Sequence, residues 1–303
     1  MGSKIPLYDT ATFTRKFMPA EEVRQMLKGR FGDFFIVRVE EMHRHVGQPV
    51  PPSRATNHTI IYLCEGEAHM RIGGERYTIQ EEEMLVVAAG QVFSFDEHTP
   101  DKFNKGYLFH FNEQWLGAAL GCQHLLDKFE FLDVYSNPRI RFDRHDASLL
   151  EGSLGDMHSF YIYDAANQLI PTFLMTVLTW MGNAYRPLFH RAAEPGRELT
   201  SRFLKLLQEH HVDKQRVTDY AALLHVTPNH LNKVVKETTS KSPTRWIDEA
   251  ILLDAKVLLA QTLDPVGAVA SAAGIGDASY FSRLFRKYEG MSPAEYRKMM
   301  RGE

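Results

Sequence analysis

Ser279, Tyr280, Arg283, Arg286 and Lys287 share one face of a helix whose other face carries Phe281, Leu284 and Phe285. Hydroxyls and cations on one side and an apolar stripe on the other suit a helix that buries itself in protein and offers hydrogen bonds to base edges and charge to phosphates. Fifty residues earlier the segment 229–237 does the same, burying Leu231, Val234 and Val235 and exposing Asn229, Asn232, Lys233 and Lys236. An arginine can pair two donors with guanine and an asparagine amide can pair with adenine, whereas a lysine at a phosphate adds affinity without reading sequence.

These faces need elements to hold them. Asp277 caps the later helix and Gly290 stops it before Ser292-Pro293; Thr227-Pro228 opens the earlier one, the hydroxyl accepting an orphan N–H and proline having none to leave unpaired. A fifty-residue offset takes Thr227 to Asp277, Leu231 to Phe281, Lys233 to Arg283, Val235 to Phe285, Lys236 to Arg286 and Ser242-Pro243 to Ser292-Pro293. Upstream of each copy lies a further helix. Arg197 to His211 turns Leu199, Phe203, Leu206 and Leu207 inward, and Thr218 is expected to cap a helix ending in the turn at His225-Val226. Pro243 to Thr262 reads as one long connecting helix, and Asp264-Pro265 opens the first helix of the second copy. Two helix-turn-helix units on a rigid connector can reach successive major-groove faces ~34 Å apart on one side of a duplex.

The first part of the chain reads differently. Ala20 to Lys28 is expected to be a short helix, and Gln48 to Arg54, with three prolines, a loop. From His58 short alternating runs follow, with Gly73-Gly74 as a hairpin turn, giving an antiparallel β-barrel or jelly roll. Two amphipathic helices come next, one through Leu150, Leu154, Met157 and Tyr161 and one through Ile170, Leu174, Val177 and Met181, with Pro171 at a helix start or kink.

Composition separates the two parts. The 303 residues are 44% hydrophobic and 24% charged, with net charge -3, so a uniformly basic protein is excluded. From Gly196 onward there are 16 Lys and Arg against 13 Asp and Glu; before it, 19 against 25. Two cysteines, Cys64 and Cys122, exclude a disulfide framework. The most apolar run, 173–181, is too short to span a bilayer, and the amino terminus has no signal-peptide pattern, so a cytoplasmic location without membrane partners is expected. The expected domains are 1–190, a linker at 191–196, and 197–303.

The stretch Gly274 to Arg297, within about 100 residues of paired helix-turn-helix units, resembles the signature of the AraC/XylS family, and Leu63-Cys-Glu-Gly66 through Met84 to Phe95 is similar to that family's cupin-type effector domain. Glu82-Glu83 stands where Gly-Asp is frequent in the family, Ala88-Ala89-Gly90 where a Pro-Gly turn is common, His225 where a turn glycine is, and Ser240 where a helix-ending glycine is frequent. The resemblance implies an N-terminal cupin-like β-barrel with a helical hairpin and a C-terminal all-α double helix-turn-helix. It also implies base contacts at Asn229, Asn232, Lys233, Ala278, Ser279, Tyr280 and Arg283, and phosphate contacts at Lys236, Arg286 and Lys287. Ala278 can offer only a methyl, to thymine.

The function implied is transcription regulation, activation being the commoner outcome in the family, with operator DNA, a small-molecule effector, a second copy of the chain and RNA polymerase as partners, and with no enzyme activity or cofactor. Effector candidates are His58, Tyr62, His69, Arg71 and Phe95; alternatively the aromatics are core and Arg71 faces solvent. In the family the helical hairpin commonly makes the dimer contact, which falls on Leu150, Leu154, Met157 and Leu174 unless these only cover the barrel. Two other readings stand beside this one. His43-Arg44-His45, with His58, His69, His98 and His110, could make the barrel a metal-dependent cupin enzyme, or the barrel could be ligand-free and the protein architectural.

Overall fold

The period-two segments of the first part fold as strands: β1 (Phe34–Arg38), then, after the short helix α1 (Val39–His43), β2 (Val50–Arg54), β3 (His58–Glu65), β4 (Ala68–Ile72), β5 (Glu75–Ile79), β6 (Glu83–Val87), β7 (Val92–Phe95), β8 (Lys105–Phe111) and β9 (Arg139–Arg141). A computed structural model describes residues 33–43, 50–95, 104–122, 126, 128–164, 168–185 and 196–301. These fall into two compact units, one up to 185 and one from 196. The expected helix over 20–28 and linker positions 191–195 lie outside the described residues.

In the first unit two antiparallel sheets form, one ordered β1-β8-β3-β6-β9 and the other β2-β7-β4-β5. Strand β3 is central to the larger sheet, pairing with β6 from Thr59↔Val87 to Leu63↔Glu83 and with β8 from His58↔Phe111 to Leu63↔Gly106. Because side chains alternate, β3 feeds two cores. Ile61 and Leu63, with Leu85 and Val87, meet Met70, Ile72 and Ile79 of the second sheet. Ile60 and Tyr62, with Met84, Val86, Phe109 and Phe111, meet the helices α2 (Glu113–Leu120), α3 (Arg144–Tyr163) and α4 (Ile170–Ala184). The glycine pair Gly73-Gly74 closes the β4–β5 hairpin at φ 60° and 92°, a region that favours glycine.

One expectation is corrected here. Residues 50–54 are strand rather than loop, prolines included. Strand β2 lies at the edge of its sheet and pairs only with β7, and the register shifts between Val50 and Ser53, where Pro51 and Pro52 sit. An edge strand needs ladder donors on one side only, and an irregularity absorbs the missing N–H groups.

The second unit is helical: α5 (Arg197–His210), α6 (Val217–Leu223), α7 (Pro228–Thr239), α8 (Pro243–Gln261), α9 (Val266–Ala272), α10 (Ala278–Glu289) and α11 (Pro293–Arg301). Phe203 of α5 meets Tyr220 of α6 edge-on at 5.4 Å, and Phe285 of α10 meets Tyr296 of α11 at 5.4 Å. Helix α8 buries Ile247, Ile251, Leu252, Ala255, Val257, Leu258 and Leu259, a near-continuous apolar surface fit for packing on both bundles. Thr218 is not a cap: α6 begins at Val217, and the Asp219 carboxylate accepts from the Arg216 N–H at 3.3 Å.

Candidate nucleic-acid interface

The fifty-residue offset holds in three dimensions. Between 227 and 240 and between 277 and 290, matching positions agree in exposure class throughout, except that Thr239 is buried and its mate Glu289 half-buried. The cores recur with the exposed faces: Leu231, Val234 and Val235 under α7 correspond to Phe281, Leu284 and Phe285 under α10. At the helix starts, Thr227 Oγ1 accepts from His230 N at 3.2 Å, and Asp277 accepts from Ser279 N at 2.8 Å and Tyr280 N at 3.1 Å. Those two backbone donors hold the Asp277 carboxyl below the usual carboxylate range, so it caps as an anion.

On α7 the side chains of Asn229, Lys233 and Lys236 are exposed; on α10 so are Ala278, Ser279, Tyr280, Arg283, Arg286 and Lys287. Tyr280 is 47% exposed, so its ring and hydroxyl are open to a partner surface. Asn232 differs from the rest. It is half-buried, and its amide donates to the Pro228 carbonyl of its own helix at 3.0 Å, as its repeat-mate Ser282 donates to Ala278 at 2.8 Å. Two exposed residues on these faces are absent from the set read from the sequence: His230, the mate of Tyr280, and Glu237, the mate of Lys287. The offset that paired the others would have found both.

The supports under the two heads are shared. Asp254 of α8 is fully buried and its Oδ2 lies 2.7 Å from His211 Nε2, at the end of α5, while His211 Nδ1 lies 3.0 Å from the Leu207 carbonyl. Also on α8, Asp248 accepts from the Tyr288 hydroxyl at 2.8 Å, and Lys256 pairs with Glu289, both side chains mostly buried. Gln215, ahead of α6, donates its amide to the Gly274 carbonyl in the turn before α10. That turn admits only glycine: φ is 96°, and a Cβ would sit 2.4 Å from the Val212 carbonyl oxygen. In the first head the corresponding positions carry side chains in the same left-handed region, His225 at φ 57° and Ser240 at φ 59°, where the second head has Gly274 and Gly290.

The effector candidates do not converge. His58 and Tyr62 share a face of β3, but it is the face turned to the helices: the Tyr62 hydroxyl donates to Glu151 of α3 at 2.9 Å, and His58 stacks on Phe111 at 5.1 Å. His69 and Arg71 share the face of β4 opposite Met70 and Ile72, so they point away from the space between the sheets; His69 binds Thr78 and Glu67. Phe95 alone of the five packs on the inter-sheet core, edge-on to Phe93 at 6.1 Å. Alternation sorts side chains into two faces, but in a strand buried on both it cannot say which face meets the second sheet.

On the inter-sheet side stands a polar group the sequence did not single out. The Asn57 amide donates to His110 Nε2 at 2.8 Å, which leaves Nδ1 to donate to Thr59 Oγ1 at 2.9 Å, and the Asn112 amide donates to Asn57 Oδ1 at 3.0 Å. Burial, with a smaller contribution from His58, pushes the His110 pKa down to about 3; burial brings His58 to about 4, consistent with its Nδ1 accepting from Ala89 N. Of the histidines in the metal reading, His45, His98 and the His43 side chain lie outside the described residues. Among the described residues no group of three or more His, Cys, Asp or Glu is placed to hold a metal ion, and no helix is long and apolar enough to cross a membrane.

The residues expected at a dimer contact are core. Leu150, Leu154, Met157 and Leu174 each have no exposed surface and pack with the helix-side face of the larger sheet. A side chain fully covered within its own chain has nothing left to offer a second copy. Among the described residues, the exposed large apolar side chains of α3 and the connection after it are Leu149, Ile162, Tyr163 and Leu169.

The AraC-like ligand binding domain model matches residues 41–159, and a helix-turn-helix domain model matches residues 220–299. The chain is 33% identical over 96 residues to the uncharacterized HTH-type transcriptional regulator YisR of Bacillus subtilis, an alignment covering 32% of this chain and 33% of that protein. To the Msm operon regulatory protein of Streptococcus mutans it is 21% identical over 263 residues, 83% of this chain and 88% of that one. Among solved structures, unsaturated fatty acid bound ToxT from Vibrio cholerae matches 89% of this chain and 97% of its own at 14% identity and a TM-score of 0.45. The chain spans 31% to 52% of the length of the first curated relatives it matches. An AraC-like ligand binding domain model on the β unit and a helix-turn-helix domain model on the repeated heads are the two domains, in the same order, that the AraC/XylS resemblance implies.

Proposed function

We propose that this protein is a cytoplasmic, sequence-specific DNA-binding transcription regulator, an activator rather than an enzyme, whose β unit takes a small-molecule effector. The observation that carries the DNA reading is the recurrence, residue by residue, of one buried and one exposed face in α7 and α10. Base reading falls to Asn229, Lys233, Ala278, Ser279, Tyr280 and Arg283, with Asn232 joining after its amide leaves Pro228; Lys236, Arg286 and Lys287 meet phosphates. The test is a binding titration of the full chain on a duplex selected from a random pool, over several salt concentrations. Affinity falling linearly on a log-log plot, and lost on scrambled duplex, is the expected result.

The effector site is better sought between the sheets than at the five residues that strand alternation suggests. There Asn57, Thr59 and His110 supply polar groups on the sheet face that carries Ile61 and Leu63, and Phe95, alone of the five, packs on the same core. Pairing of two chains would use Leu149, Tyr163 and their exposed neighbours instead of the four core residues, and contact with RNA polymerase would follow DNA binding. Sedimentation equilibrium of the full chain, with and without duplex, tests pairing; a monomer in both would remove it. The reading requires no cofactor.

A further inference from the structure

We propose that the two heads hold DNA unequally, α10 as the anchor and α7 as the weaker head, and that Glu237 sets much of the difference; the proposal rests on the DNA-binding reading above. Position 237 of α7 is the repeat-mate of Lys287 in α10, and both side chains are exposed. Each follows directly on a cation, Lys236 or Arg286, at the flank of its recognition face. Where α10 presents an ammonium to a phosphate, α7 presents a carboxylate, a swing of two charges at one structural position.

Carboxylates near α10 lie away from position 287 or are partnered, Asp277 standing as a capping anion about 15 Å along the helix from it. Asp277 is bonded to the N–H groups of Ser279 and Tyr280, Glu289 is paired with Lys256, and Glu295 approaches Arg286 only to 4.0 Å, with both groups more than half exposed. Arg283, Arg286 and Lys287 therefore act together, against Lys233 and Lys236 opposed by Glu237 on α7. Two further features set α7 apart. Its flanking turns carry His225 and Ser240 in the left-handed region where the second head has glycines, and the side chain bonded back to its own helix is a candidate base reader, Asn232, where α10 has Ser282. At the flank of its recognition face α7 thus meets a repelling charge and requires a candidate base reader, Asn232, to change partner; at the matching positions α10 has Lys287 and Ser282.

Electrostatic affinity scales with phosphates neutralised, log K falling with log salt by ~0.9 per contact. Changing Glu237→Lys supplies the contact that Lys287 makes in the other head, so binding to a selected duplex should strengthen about fivefold near 0.15 M salt, and the slope should steepen by about one. Glu237→Gln removes the repulsion alone and should give a smaller gain with little change in slope. Lys287→Glu should lower affinity and slope together. Scrambling the half of the duplex under α10 should abolish specific binding, while scrambling the half under α7 should only weaken it. Melting curves of each variant exclude folding as the cause. If wild type binds with a salt slope but neither Glu237 variant gains affinity, the proposal is overturned and the DNA reading stands. If wild type shows no salt-dependent binding to any selected duplex, both fall.

Discussion

Arg283 and Lys236 are both exposed cations on recognition helices, yet they should fail differently when removed. Arg283→Ala should cost ~1 to 3 kcal/mol and relax discrimination at one base position, because a bidentate arginine reads an edge. Lys236→Ala should weaken binding to every duplex alike and lower the salt slope by about one. Competition among operator variants at two salt concentrations separates the outcomes, and equal loss on all variants for Arg283→Ala would count against base reading. These residues were legible in the sequence because charge and spacing recur in two copies. His230 and Glu237 were legible by the same repeat. The Asn57, Thr59 and His110 group was not, since its members lie on two segments, the start of β3 and the end of β8, that only the sheet register brings together. His110 of that group and His58, on the opposite face of the sheet, share a titration signature. Both His58 and His110 are neutral in the fold, with pKa values depressed from 6.5 to about 4 and about 3, so the unfolded chain binds protons first. Their contribution to stability is present above pH 6.5 and is lost as pH falls toward 4 and then 3. The melting temperature of the full chain should drop over that window, and less so in His110→Gln; a pH-independent melt would contradict the neutral assignment.

At the scale of elements, the turns of the two heads make opposite predictions. His225→Gly and Ser240→Gly each remove a left-handed side chain from an exposed position and should stabilise the second unit by ~1 kcal/mol. Gly274→Ala should destabilise by more, since the added methyl meets the Val212 carbonyl as well as an unfavourable φ. Denaturant midpoints of the full chain compare them directly. The hairpin of α3 and α4 supplies a third test. Leu154→Ala should cost ~2 to 5 kcal/mol by leaving a cavity, while the sedimentation behaviour of the folded fraction stays as in wild type. Its periodicity was readable from the sequence as a buried stripe. What the stripe is buried against was not, because the same pattern serves a sheet or a second copy. Strand β2 shows the converse: local chemistry argued against a strand, and an edge position with an irregular register overrode it.

Across the whole molecule, the acidic and basic parts of the chain coincide with its β and helical units, so the division of labour was legible before any contact was known. A ligand that binds the folded β unit must raise its stability, by ~2.7 kcal/mol at a hundred times its dissociation constant. A metabolite panel scored by thermal shift on the full chain therefore finds the effector whatever its chemical class, and silence across a broad panel favours a ligand-free role. Helix α8 adds a constraint of another kind. It grips the second bundle through Asp248 and Lys256 and the first through Asp254, which lies between them in sequence. One residue added after Ile251 would swing Asp254 by about 100° and ~1.5 Å relative to Asp248, so its partner on α5 and Tyr288 on α10 could no longer be met at once. The stretch from Pro243 to Gln261 is therefore a gauge of fixed count, and the step between the half-sites that the two heads can read is set by that number of residues.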